Sequence, residues 1–249
     1  MGATINGSLV GGGGAAPSGT GVVEVSGGAF TSPARSATLV RTALTVSSDA
    51  MTGSGWSALA PDAGATATWG GGLLALAITA GTTAATGAPV AGSVGVGGDS
   101  YDLAVRCEFA TGDGATQAAL SLACGSDASN YISLGCYANG SLSWGYLLAG
   151  VWVTLGTATG PTSPQRTGGQ LWLRLSRRAG ITAFAYGVGS AGALPTTWTV
   201  VGVHAVAASV SAATGTYRVL QAVNYVGASL PAGLLVNVRA ITYQSLGGF

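Results

Sequence analysis

Aromatic side chains on alternating segments are the residues of this 249-residue chain best suited to hold a ligand. Sugar rings present apolar faces that stack on flat side chains. Tyr131 and Tyr137 fall opposite the apolar residues of their segment, and Trp172 and Arg174 fall opposite three leucines of theirs. If the two outward faces form one surface, the four residues line a sugar groove. The alternative, which the pattern favours, is a subunit interface, where Tyr, Trp and Arg are enriched.

Four further tryptophans are predicted to pack in the core or at hinges. They are Trp56, Trp69, Trp152 and Trp198.

Residues for catalysis are few. All nine basic residues are arginine, which excludes Schiff-base and phosphate-binding lysines. All eight acids precede residue 128, and no two have a spacing that would bring them together on one face of a groove, as glycoside hydrolysis requires. His204 has no recognisable catalytic partner. The GxGxxG match at Gly187–Gly192 is followed by another strand, which indicates a hairpin loop. We therefore predict a protein that is not an enzyme.

Metal and cofactor sites are also poorly supported. A single histidine and three separated cysteines exclude a zinc cluster of the Cys/His type. Asp113 and Asp127 fall in predicted loops, where turn capping is favoured and a calcium site is the alternative. Cys107, Cys124 and Cys136 each fall in phase with large apolar neighbours, which predicts buried free thiols. No cofactor is expected.

Charge divides the chain into two halves. Residues 1–127 hold three arginines and eight acids, a net charge of −5, and residues 128–249 hold six arginines, a net charge of +6. The six are too dispersed for a nucleic-acid groove, and exposed positions or a contact with the acidic half of a neighbouring subunit are favoured. The longest apolar run, residues 73–78, is far shorter than the roughly 20 residues of a membrane helix. No secretory signal is recognised. Neither nucleic acid binding nor membrane insertion is predicted.

Short segments of alternating polarity, separated by Gly, Ser, Asn or Pro, predict an all-β antiparallel sandwich. Asn139-Gly140 predicts a hairpin turn. Residues 79–98 are low in complexity and predict a loop. Residues 1–45 are interpreted as an extended glycine-rich N-terminal arm with an anchoring strand, and residues 46–249 as the sandwich. The clearest predicted strands are 101–109, 116–124, the two alternating runs on either side of Asn139-Gly140 within residues 130–156, and 171–178.

The order of seven segments within residues 46–249 resembles the concanavalin A-like jelly-roll superfamily, especially its laminin-G-like bacterial and phage members. The resemblance implies a jelly-roll sandwich of two curved antiparallel sheets. Members often bind carbohydrate on a concave face or a loop rim, and many are purely structural. The segments are Gly53–Trp56, Tyr101–Phe109, Ser129–Gly140, Gly150–Gly156, Leu171–Leu175, Thr197–Gly202 and Thr214–Val219.

A second resemblance lies in residues 19–34, GTGVVEVSGGAFTSPA, which are similar to the segment preceding globular modules of phage head-decoration and tail-fibre proteins. It implies a non-enzymatic virion protein of the capsid or tail, assembled in the bacterial host cytoplasm. The arm would attach it to other virion proteins, and a homotrimer with weak adhesion to host-surface glycan is expected. The alternative function is a receptor-binding lectin or a carbohydrate-binding module.

Overall fold

The fold was obtained as a computed structural model. It describes residues 24–26, 29–31, 44–47, 56–58, 60–70, 73–83, 86–92, 101–178, 180–190, 193–206, 217–225 and 229–245. The chain divides into two compact units, Met1–Leu39 and Val40–Phe249. The predicted boundary between residues 45 and 46 falls inside strand β3 (Leu44–Ser47), which pairs with β17 (Leu234–Ser245) in the second unit.

In the first unit, β1 (Glu24–Ser26) pairs antiparallel with β2 (Ala29–Thr31). The anchoring strand predicted from the sequence is thus one half of a short hairpin. Apart from Leu44 and Thr45, which belong to β3, the remainder of the predicted arm lies outside the described residues.

The second unit is built from two antiparallel sheets. Sheet 1 has seven strands. The consecutive strands β9 to β12 pair with one another as hairpins, and β16 lies between β9 and β7. Its strands follow in spatial order: β12 (Val151–Thr159), β11 (Ser141–Leu148), β10 (Asn130–Tyr137), β9 (Ala118–Asp127), β16 (Tyr217–Asn224), β7 (Thr86–Gly92) and β4 (Trp56–Ala58).

Sheet 2 has eight strands, of which β3 pairs with β17 outside the main path. The strands of that path follow in spatial order: β15 (Thr199–Ala205), β14 (Ile181–Val188), β13 (Leu171–Arg178), β8 (Tyr101–Thr111), β17, β6 (Leu73–Ile78) and β5 (Ala65–Gly70). One short helix, α1 (Ser163–Thr167), lies between β12 and β13 in the chain. No helix of the described residues is long and apolar enough to cross a membrane.

Large apolar residues of both sheets meet in one core. Successive side chains of a strand point to opposite faces of its sheet, so the alternation seen in the sequence places the large apolar residues on the inner faces. All three cysteines are buried and free, which confirms the prediction, and burial raises the pKa of the Cys136 thiol to about 12. Fully buried core residues include Leu103, Val105, Leu120, Leu122, Ile132, Leu134, Leu171, Leu173 and Leu175.

The charged halves of the sequence meet within the chain itself. Carboxylates from the first half form ion pairs with arginines from the second half. These arginines are therefore paired within the chain, and not with the acidic half of a neighbouring subunit. The prediction of exposed arginines is also wrong for Arg166 and Arg177, which are buried. The described pairs are Asp102 with Arg174 and Arg178, Glu108 with Arg239, and Asp113 with Arg166.

Two tight turns set the register of β10, β11 and β12. The Gly140 N–H donates to Tyr137 O across 2.9 Å, and Gly140 has a φ of 93°, which confirms the predicted hairpin. At the next turn both Ala149 (φ 50°) and Gly150 (φ 79°) are left-handed, the geometry of a two-residue hairpin loop. The predicted loop at residues 79–98 is wrong in part, because it contains β7.

Candidate functional site

A groove of about 290 Å³ lies on the outer face of sheet 1. Its lining comes from the residues that alternate with the buried core residues of β9, β10, β11 and β16, together with one side chain of β12 and one that follows β16. It is lined by Ser121, Tyr131, Ser133, Gly135, Tyr137, Ser143, Leu147, Trp152, Gln221, Val223 and Tyr225.

Small residues form the middle of the groove. Gly135 on β10 lies in register between Ser121 on β9 and Ser143 on β11. The hydroxyls of Ser121 and Ser133 are hydrogen-bonded across 2.7 Å. Because these side chains are small, the floor of the groove is flat. Each serine hydroxyl offers one donor and two acceptor lone pairs, so the floor also carries several hydrogen-bonding groups.

Trp152 forms one wall of the groove and is 43% exposed. Its indole N–H donates to Thr154 Oγ1 across 2.9 Å, which fixes the orientation of the ring. The ring lies over Gly145, where a Cβ would come within 2.8 Å of the indole and 2.2 Å of the Val153 carbonyl oxygen. Only glycine at this position leaves room for the indole to lie against the strand.

Tyrosines form the other walls. The rings of Tyr137 and Tyr225 are 5.7 Å apart between centroids and tilted by 36°. Partial burial raises the pKa values of Tyr131 and Tyr137. Burial, followed by the nearby Tyr137 and Tyr131, also raises the pKa of Tyr225. All three hydroxyls therefore stay protonated at neutral pH and are able to donate hydrogen bonds.

The four residues singled out in the sequence do not share one surface. Tyr131 and Tyr137 line the groove on sheet 1, whereas Trp172 and Arg174 lie on β13 in sheet 2. Trp172 faces away from the leucine core, yet it is only 1% exposed. A Cβ on Gly189 would come within 2.9 Å of the Trp172 Nε1, so the segment after β14 covers the ring.

Arg174 is likewise engaged within sheet 2. Its Nε and a terminal nitrogen donate to Asp102 Oδ1 at 3.0 and 2.8 Å. The Trp198 ring lies 5.0 Å from the guanidinium carbon, a cation–π contact. The outer face of β13 is therefore a packed charged and aromatic surface.

The sequence analysis missed Trp152 and Tyr225 as groove residues, and the core position predicted for Trp152 is wrong. A signal for Tyr225 exists in the sequence, because Gln221, Val223 and Tyr225 alternate with the buried Leu220, Ala222 and Asn224. Trp152 gives no such signal. It lies on an edge strand in which no residue is fully buried.

The acids proposed as calcium ligands have protein partners. Asp113 accepts hydrogen bonds from Ser163 and Arg166. Asp127 accepts the backbone N–H of Ser129 across 2.7 Å and the side-chain amide of Asn130 at 2.9 Å, which is the predicted turn-capping role. The described part of the chain contains no group of three or more His, Cys, Asp or Glu side chains that could hold a metal ion.

No known protein family and no curated protein sequence matches the chain. Solved structures do. The exoplasmic/lumenal domain of VIP36, in its Ca²⁺/Man3GlcNAc-bound form, superposes with a TM-score of 0.53 at 8% identity, over 78% of this chain and 85% of that one. The CBM2 module of the evolved Dit of Lactobacillus casei BL23 phage J-1 superposes with a TM-score of 0.50 at 10% identity, over 74% and 80%.

The GH43 protein BlXynB from Bacillus licheniformis also superposes, with a TM-score of 0.53 at 18% identity over 77% of this chain. This chain spans only 37% of the length of that protein. At such identities the likeness shows the fold alone. The two antiparallel sheets and these structural neighbours confirm the predicted all-β fold, an antiparallel jelly-roll β-sandwich.

Proposed function

We propose that this protein is a carbohydrate-binding module whose ligand lies in the groove on sheet 1. The observation that carries the proposal is the lining itself: Trp152 and three tyrosines surround a floor of serines and glycine. Small-molecule sites are typically concave and apolar with a few placed polar groups. A sugar matches this combination, because its ring face is apolar and its edge carries hydroxyls.

The structural neighbours support the proposal at the level of the fold. One is a lumenal domain seen in a Man3GlcNAc-bound form, and another is named as a CBM2 module. A groove on the outer face of a sandwich sheet fits the same class of activity. The receptor-binding lectin and the carbohydrate-binding module, weighed as alternatives from the sequence, thus become the main proposal.

We also propose that binding here is not coupled to hydrolysis. Glycosidases commonly need two carboxyl groups that flank the scissile bond. None of the described lining residues is an acid. Asp62 lies beside the lining residue Gln221, but its Oδ2 accepts the Gly87 N–H across 2.8 Å. Glu108 and Asp102 are paired with arginines on sheet 2.

Substitutions in the groove test the proposed carbohydrate binding directly. Purified protein should bind members of a glycan array, and both Trp152→Ala and Tyr137→Ala should reduce the signal at least tenfold. Each substitution removes an aromatic ring of the groove wall, and a tenfold loss of affinity corresponds to about 1.4 kcal/mol of binding free energy. The matched control is Leu194→Ala, an exposed apolar side chain between β14 and β15. Retained binding by both aromatic variants would overturn the assignment of the groove.

We further propose that the module belongs to a phage virion, as a capsid or tail component in trimeric form. Two observations support this proposal: the N-terminal resemblance to virion proteins and the phage origin of the CBM2 neighbour. Residues 1–39 form a separate compact unit, which would attach the module to another virion protein. Assembly in the bacterial cytoplasm follows from the same proposal.

Purified particles offer the test of the virion role. Mass spectrometry should detect the chain in them, and deletion of residues 1–39 should leave the sandwich folded while removing it from particles. The second unit holds both sheets and their core, so the deletion removes no core residue that the structure describes. Full occupancy of particles by the truncated chain would refute attachment through the arm.

A further inference from the structure

We propose that the groove selects uncharged saccharides and rejects those that carry carboxylate, sulfate or phosphate groups. This inference rests on the proposed carbohydrate-binding function and names the class of ligand for the same groove. It concerns the charge of the ligand, which the fold neighbours leave open.

The lining of the groove carries no charge at neutral pH. Its eleven residues are three serines, three tyrosines, one glutamine, one glycine and three apolar side chains. The tyrosines cannot ionise there, since burial raises the pKa of each above its ordinary value. An anionic group that enters the groove thus meets no opposite charge among the lining residues.

Among the residues whose side chains the structure describes, the arginines that could have served an anionic ligand are used elsewhere. Of the six whose side chains the structure describes, five lie on β8, β13 and β17 of sheet 2, and Arg166 lies on α1. Arg166, Arg174, Arg178 and Arg239 pair with carboxylates. Arg106 donates to the Gly169 carbonyl oxygen across 2.7 Å.

Hydrogen-bond acceptors and a carboxylate near the groove floor also disfavour the binding of an anion. Ser121 and Ser133 share one hydrogen bond, which uses one of their two O–H donors and leaves this pair of hydroxyls with more acceptor lone pairs than donors. The carboxylate of Asp62 lies beside Gln221 at the margin. Acceptors and a nearby negative charge suit the O–H donors of a neutral sugar and repel a bound anion.

Taking an ionised group out of water without a partner charge is costly, so the discrimination should be large. We expect an affinity at least about tenfold higher for a neutral oligosaccharide than for a matched one in which an added carboxylate or sulfate occupies the groove. We also expect binding that changes by less than about twofold between about 50 and about 500 mM NaCl, because no ion pair forms for salt to screen.

The test is an array of neutral oligosaccharides printed beside carboxylated and sulfated forms of the same backbones. A second arm uses Ser143→Lys, which places a cation on the floor, with Thr66→Lys on the exposed face of β5 as its control. Ser143→Lys should raise binding of the anionic forms relative to the neutral ones, and Thr66→Lys should not.

The outcomes separate the two proposals. Binding of neutral glycans that exceeds that of their anionic forms supports the inference. Equal or stronger binding of the anionic forms by the wild-type groove overturns the inference but leaves carbohydrate binding intact. Absence of binding to every glycan, neutral and anionic, contradicts the proposed function and the inference with it.

Discussion

Trp152 and Thr154 lie two residues apart on the edge strand β12, and the indole N–H of the first donates to the hydroxyl oxygen of the second across 2.9 Å. Both side chains are exposed, so this bond and the bare backbone at Gly145 hold the ring against the strand. The main aromatic wall of the groove is therefore oriented by its own strand.

Thr154→Val should weaken glycan binding by about fivefold, because a neutral hydrogen bond contributes about 1 kcal/mol net and its loss frees the indole to rotate. The midpoint of thermal unfolding should fall by no more than about 2–4 °C, since about 1 kcal/mol at an exposed residue is a small part of the stability. Calorimetric titration measures the affinity, with Thr66→Val on sheet 2 as control. Unaltered affinity in Thr154→Val would mean that the bond does not position the ring.

Ala149 has a φ of 50°, in a region that costs an L-residue with a Cβ about 1–2 kcal/mol. Asparagine tolerates this conformation, and Asn-Gly favours the same two-residue turn. Ala149→Asn should therefore raise the free energy of unfolding by about 1 kcal/mol in a urea titration. Ala128→Asn, at an exposed position without positive φ, should change it by less than about 0.5 kcal/mol. A destabilised Ala149→Asn variant would contradict the described turn.

Trp172 is buried on the outer face of sheet 2, and Leu173 is buried in the core between the sheets. Trp172→Ala should cost about 3–5 kcal/mol and Leu173→Ala about 2–5 kcal/mol, because each leaves a cavity. Chemical unfolding of the two variants at equal concentration gives both values. A near-neutral Trp172→Ala would show that the segment after β14 does not cover the ring.

Asp102 should contribute a pH-dependent part of the stability. Burial alone would raise the pKa of its carboxyl group, but hydrogen bonds from Ser176 and Arg178 and the charge of Arg174 outweigh burial and lower it. A lowered folded pKa means that the stabilisation is complete above the unfolded pKa, about 3.9, and is lost as the pH falls through the folded value.

Asp102→Asn should thus lower the free energy of unfolding by about 1–2 kcal/mol at neutral pH, and by less at about pH 2.5. The expected loss is moderate because Arg174 and Arg178 are partly exposed and solvent screens their charges. Urea titrations of wild type and variant at both pH values measure the difference. An equal cost at the two pH values would contradict an ionised, paired carboxylate.

Much of the fold follows from alternation in the sequence, because a strand with one buried face must place large apolar residues at every second position. That rule predicted β8, β9, β10 and β13. It failed for β7, which consists of small residues and contains Pro89. Such a segment has no apolar periodicity, and its pairing with β16 and β4 makes it a strand.

The site was less predictable for a different reason. Alternation tells which side chains face away from the core, but not which sheet their strand joins or what covers them. Tyr131 and Trp172 show the same outward pattern, yet β10 and β13 lie in different sheets and the second ring is covered. These outcomes depend on contacts between residues far apart in the chain.

A crystal structure of the protein with the strongest neutral glycan from the array tests the central claim most directly. We predict a sugar ring stacked on the Trp152 indole, with hydroxyls hydrogen-bonded to the Ser121 and Ser133 floor and to the tyrosine pair of Tyr137 and Tyr225. A glycan bound at the loops at either end of the sandwich, with the groove on sheet 1 occupied only by water, would contradict the account.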